Sequence, residues 1–175
     1  MKVLHIVGRR DSGKTELICD LVEELGRRGL KVGTIKHSSH EHELDRPGKD
    51  TYRHRFAGAS PAAVIAATQM AVYVSRAEGE DPLAILEPLF GGCDLVLIEG
   101  FIDGTGPKLE VWRREIGKPT LADERAEILA VVSNDAPEVR QPVWPRADVA
   151  RLVDEILRLV GLPELARVSD VAGVN

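Results

Sequence analysis

The segment Gly8-Arg-Arg-Asp-Ser-Gly-Lys-Thr15 constrains this chain more than any other. It matches G-x-x-x-x-G-K-[ST]. It also stands between a strand-length apolar run, Lys2 to Val7, and a helical stretch in which Leu17, Ile18, Leu21, Val22 and Leu25 share one face. A glycine-rich turn that only joined strand to helix would have no need of Lys14 and Thr15 after Gly13. Gly8 and Gly13 let the backbone curl, successive N–H groups then point inward, and the helix N-terminus adds partial positive charge. A polyphosphate fits such a cradle: Lys14 reaches the β- and γ-phosphates, and the Thr15 hydroxyl takes one position on Mg²⁺. Arg9, Arg10, Asp11 and Ser12 complete the loop. A carboxylate at Asp11 repels phosphate unless it turns to solvent or pairs with Arg9 or Arg10, so these side chains are expected on the loop's outer side.

Downstream, strand-length apolar runs alternate with helical segments. Strands are expected at Lys31–Lys36, Pro61–Thr68, Met70–Ser75, Asp94–Ile98, Lys108–Trp112 and Ile128–Ser133, and helices at Asp50–Ala57, Pro82–Phe90 and around Val149–Val160. The continuous apolar run before Glu99 has the pattern of a strand buried on both faces of a parallel sheet. The whole predicts an α/β doubly wound, mostly parallel sheet with helices on both faces, occupying residues 1–160, with 161–175 as a loosely docked tail.

Composition narrows the partners. With 43% apolar and 29% charged residues the chain is an ordinary globular one, and 23 basic against 28 acidic side chains leave a formal charge of -5. No general attraction to nucleic acid or anionic lipid is expected, so any anion site must be local. No apolar run approaches the ~20 residues of a membrane span, and the first residues lack a secretory pattern, so a cytoplasmic protein is expected. Cys19 and Cys93 lack metal or redox spacing and are read as buried thiols.

Other residues extend the site. Glu99 closes the buried strand Leu95-Val-Leu-Ile-Glu99, the form of a Walker B element, and should sit near the metal. Asp94, at the strand's other end, is read as structural. Four of the five histidines, His37, His40, His42 and His54, crowd residues 37–54 with Lys36 and Lys49. This loop admits three readings: a second anionic ligand held by Lys36, His37, His40 and Lys49, a dedicated metal site, or a solvated polar loop. His5, inside the first strand, is expected to be a hydrogen-bonded core residue. Ser133-Asn134-Asp135 follows a predicted strand, and Asn134 or Asp135 would either read a guanine base or simply form a turn.

In order and spacing, four blocks make the chain resemble the molybdopterin-guanine dinucleotide biosynthesis protein B (MobB) family of SIMIBI-type P-loop GTP-binding proteins. They are Gly8–Thr15, Ile35-Lys-His-Ser-Ser-His40, Asp45-Arg-Pro-Gly-Lys-Asp-Thr-Tyr52 running to Ala57-Gly-Ala59, and Ile98-Glu-Gly-Phe101 followed by Pro107-Lys-Leu-Glu110. The resemblance implies GTP and Mg²⁺ as ligands, hydrolysis that is weak at most, a homodimer, and assistance to the guanylyltransferase that joins GMP to molybdopterin. It also implies that Lys36, His37 and His40 lie at the site mouth. Ser39 stands where the family usually has histidine and Ile102 where lysine commonly follows Glu-Gly-Phe, and Arg10 with Asp11 replaces smaller residues. The first two changes bear on contacts to molybdopterin more than to GTP. Two other uses of the same nucleotide site remain: a small-molecule kinase or ligase with an acceptor in the histidine loop, or a nickel-delivery GTPase with His37, His40 and His42 as ligands.

Overall fold

Four apolar residues and His5 form β1 (Val3–Val7), and their neighbours on both sides arrive much later in the chain. A computed structural model describes residues 1–38 and 43–165. Residues up to Ser38 and from Pro88 onward form one compact unit, and the segment between them forms another.

In the first unit, β2 (Val32–Lys36), β5 (Leu95–Glu99), β6 (Lys108–Val111), β7 (Ile128–Val132) and β8 (Val143–Trp144) join β1 in a six-stranded sheet of order β2-β5-β1-β6-β7-β8. All of its pairings are parallel, with Val3 opposite Val96 and Val7 opposite Glu110. The pleat sends Leu4, Ile6, Leu95, Leu97, Leu109, Val111, Ala130 and Val132 to one face. There they meet Leu17, Leu21 and Leu25 of α1 (Lys14–Arg27) and Leu152, Val153, Ile156 and Leu157 of α4 (Val149–Leu159). Buried Arg28 ties the two helices by donating to Glu24 Oε1 at 2.7 Å, Asp154 Oδ1 at 2.5 Å and the Ala150 carbonyl at 2.8 Å.

On the opposite face Val7, Ala122, Ile128 and Val131 pack with Ile102, Trp112 and Leu121. Phe90, which ends α3 (Pro82–Phe90), lies against Gly33 of β2, where an added Cβ would come within 2.5 Å of the ring. Only glycine admits that ring.

The second unit holds α2 (Asp50–Phe56) and an antiparallel hairpin of β3 (Ala62–Ile65) and β4 (Met70–Tyr73), with Ile65 opposite Met70. Arg55 pairs with Glu43 at 2.8 Å and lies over the Tyr73 ring. Val64, Ile65, Met70 and Val72 are exposed.

The strands and helices expected from sequence are present within a few residues. The two-residue β8 and a 3-10 turn at Arg114–Ile116 are additions. Beyond α4, Leu162 packs on the core and its N–H donates to the Leu157 carbonyl, while Lys2 Nζ donates to the carbonyls of Val160 and Gly161. Both cysteines depart from expectation: Cys19 is exposed and Cys93 half-buried. Cys19 falls off the Leu17, Leu21 and Leu25 stripe of α1, which is why its thiol faces out.

Candidate functional site

The phosphate loop rises from the C-terminal end of β1, at the point where the sheet continues to β5 on one side and to β6 on the other. That is where open parallel sheets bind ligands. Two glycines shape it. Gly8 takes φ 147, and a Cβ there would stand 2.5 Å from the Val111 carbonyl oxygen and 2.7 Å from Ser12 Oγ. Gly13 takes φ 91 and precedes α1 with no side-chain cap, so the first N–H groups of the helix stay open at the loop. Asp11 holds φ 62, a left-handed conformation that short polar side chains tolerate better than most.

The expected side chains converge here. Lys14 Nζ donates to the loop's own carbonyls, Arg9 at 2.7 Å and Gly8 at 3.1 Å. Burial pulls its ammonium below the ordinary lysine range, against the opposing attraction of Glu99 and Asp11. Thr15 Oγ1 lies 3.0 and 3.1 Å from the two Glu99 carboxylate oxygens, and Lys36 Nζ stands 3.6 Å from Glu99 Oε1. Beside them is a groove of about 380 Å³ lined by Thr15, Ile18, Cys19, Thr34, Lys36 and Glu99. Arg10 and Asp11 pair at 3.6 Å on the outer side with 95% and 86% of their side chains exposed, and Arg9 donates to the Pro119 carbonyl.

Two observations test whether a phosphate and its cation fit. The Ser12 hydroxyl, 1% exposed, has no hydrogen-bond partner among the described residues, and the lack of side chains at Gly8 and Gly13 lets the Val111 carbonyl and the Arg113 guanidinium close in on the loop. Thr15 and Glu99 together present only oxygen donors, the set a hard divalent cation takes. The residues fit both groups.

Around this centre the remaining residues hold loops. His37 stacks on Phe101 with ring centroids 4.3 Å apart, and its N–H donates to the Glu99 carbonyl. His40 and His42 lie outside the described residues. Among those described, no three His, Cys, Asp or Glu side chains gather as a metal site would require. Asn134 Oδ1 accepts the Ala147 N–H at 2.8 Å, and Asp135 Oδ2 accepts the Arg114 N–H at 2.8 Å. Both sit at the end of β7, beyond β6 from the phosphate loop.

Asp94 is structural, accepting the Lys31 N–H at 2.7 Å. Lys108 donates to the Gly104 and Gly106 carbonyls, and buried Glu110 accepts the N–H groups of Leu121 and Ala122. His5 is only partly satisfied: Nε2 lies 3.0 Å from the Thr105 carbonyl oxygen, while Nδ1 is buried without a partner among the described residues.

Sequence reasoning missed Arg113. Its guanidinium rests on Gly13, with Nη2 and Cζ in the place a Cβ would take. It also lines a second cleft, of about 390 Å³, with Arg10, Asp11, Glu115 and Ile116. The one available signal was its place just past the strand expected at Lys108–Trp112.

Comparison with known proteins agrees with this geometry. The family model described as molybdopterin guanine dinucleotide synthesis protein B matches residues 3–134. A molybdopterin-guanine dinucleotide biosynthesis adapter protein of Haemophilus influenzae is 33% identical over 156 residues, covering 88% of this chain and 86% of the relative. A protein of the same description from Escherichia coli is 32% identical over 127 residues, 70% of this chain and 73% of the relative. The crystal structure of Bacillus subtilis MobB superposes with a TM-score of 0.69 at 26% identity, covering 91% of this chain and 98% of that one. With its phosphate loop, its acidic strand end and most of its length matched, the chain belongs to the MobB family.

Proposed function

We propose that the protein is a GTP-binding adapter in molybdenum-cofactor biosynthesis, acting in the cytoplasm beside the guanylyltransferase that converts molybdopterin to molybdopterin guanine dinucleotide. The observation that carries the reading is the convergence of Lys14, Thr15 and Glu99 on one loop end, within a chain whose relatives are named as adapters of that pathway. Gly8 to Thr15 cradle the phosphates, and Thr15 with Glu99 holds Mg²⁺. When bound, that ion neutralises charge on the β- and γ-phosphate oxygens.

Lys36 and His37 stand at the mouth. Asp135 keeps Oδ1 free of hydrogen bonds among the described residues and is the acceptor for the N–H donors of guanine. Hydrolysis is weak at most in this reading, so GTP serves as a binding signal more than as fuel. Among the described residues no helix is long and apolar enough to cross a membrane. The exposed apolar side chains of the β3–β4 hairpin are the surface on which two copies would pair, which also covers a strand edge.

Calorimetric titration with GTP and ATP, each with and without Mg²⁺, tests the reading. GTP is expected to bind at least about tenfold tighter than ATP, a difference of about 1.4 kcal/mol, and Lys14→Ala to abolish binding. Adding the protein to the partner enzyme with molybdopterin should raise the yield of the dinucleotide product, and the Lys14→Ala variant should not. Equal or tighter binding of ATP would sink the guanine assignment.

A further inference from the structure

We infer that Arg113 is a phosphate-binding residue, the second cation of the nucleotide site, an assignment that rests on phosphate occupying the loop as proposed above. Its guanidinium lies where a side chain on Gly13 would be, directly at the start of α1. The N-terminal end of a helix carries partial positive charge and disfavours a neighbouring cation. Lys14 is a further positive charge in the same loop. Arg113 is exposed, so water solvates it in the free protein, and an anion entering the loop would meet both cations at the helix start.

The usual structural explanation, an ion pair, does not apply. Asp11 and Glu115 line the same cleft, yet Arg113 forms no salt bridge with either or with any other described residue. Its five donors are available, and their planar fork matches the oxygens of a phosphate.

The backbone holds this side chain in place. The Val111 carbonyl abuts Gly8, so the end of β6 is fixed against the loop. Arg113 itself is extended at φ -136 and ψ 137, its carbonyl accepts the Ile116 N–H, and the next N–H, of Arg114, donates to Asp135. Asp135 therefore also positions the arginine. The anion is held from two sides, with Lys14 in the loop and Arg113 from the neighbouring strand.

The test compares the full chain with its Arg113→Ala and Arg113→Lys variants, titrating GTP, ATP and inorganic pyrophosphate, each with Mg²⁺, and recording unliganded thermal midpoints. Hydrogen bonds to charged groups are strong enough that Arg113→Ala should weaken GTP and pyrophosphate alike, by roughly ten- to a hundredfold. Arg113→Lys should recover part of the loss, and the unliganded midpoints should agree. Unchanged affinities would overturn the inference. So would a loss confined to the nucleotides with pyrophosphate unaffected, which would make Arg113 a nucleoside contact. If GTP and ATP bind equally and Arg113→Ala weakens both together with pyrophosphate, the guanine reading fails while this one stands. A wild-type chain that binds none of the three overturns both.

Discussion

His5 is fully enclosed in the central strand, and only one of its ring nitrogens has a partner. Burial, reinforced by the Lys108 charge and opposed by the Thr105 carbonyl, holds the imidazole below its ordinary 6.5. The unfolded chain therefore binds the proton more readily, and stability present above pH 6.5 is lost as pH falls toward the lowered value. Thermal midpoints followed from neutral to acid pH should drop in the wild type and stay flatter in His5→Gln. Equal slopes would remove His5 as the cause. The turn that meets this ring, where a Cβ on Gly104 would lie 2.5 Å from His5 Cε1, connects directly to Glu99, so acid should loosen the site as well. The burial of His5 was legible from its place in an apolar run, but the unpartnered Nδ1 and the contact with Gly104 were not. The phosphate loop was legible because all its parts are contiguous. Arg113 was not, because its role depends on which strand stands beside β1.

At the level of elements, α4 is an amphipathic helix whose buried stripe, Leu152, Val153, Ile156 and Leu157, closes the core over the sheet. Asp148 caps it by accepting the Arg151 N–H at 3.0 Å. Leu157 is fully buried, so Leu157→Ala should cost about 2–5 kcal/mol in chemical unfolding, the range for a leucine cavity. A loss well under 1 kcal/mol would mean that the helix docks loosely. The helix itself was readable, since apolar residues at 152, 153, 156 and 157 leave no other period. Between Pro142 and Pro145, β8 offers too short a pattern to read, and it exists only because β7 gives it an edge to join. The Arg28 clamp was equally hidden, since Asp154 lies 126 residues away in the chain.

For the molecule as a whole, the hairpin of the second unit leaves Ile65 79% and Met70 71% exposed, opposite each other across the strands. A charge there would be buried by any self-association through this surface. Ile65→Glu should therefore shift the sedimentation mass from two chains to one at micromolar concentration while leaving GTP affinity unchanged. A wild-type mass of one chain would refute the pairing outright. The sequence announced the two β segments but not their isolation from the main sheet, because hydrophobic patterning marks strands without marking partners.

The strand order carries a consequence for how the protein is made. β1 leaves the ribosome first, yet its two neighbours, β5 and β6, begin at Leu95 and Lys108. Until translation has passed those residues, this central and largely apolar strand has nothing to pair with, and the phosphate loop beside it has no wall. The hairpin, by contrast, is complete as soon as Tyr73 emerges. Synthesis thus delivers a finished local piece inside an unfinished whole, and a nascent chain halted before β6 is a candidate for chaperone custody rather than for nucleotide capture.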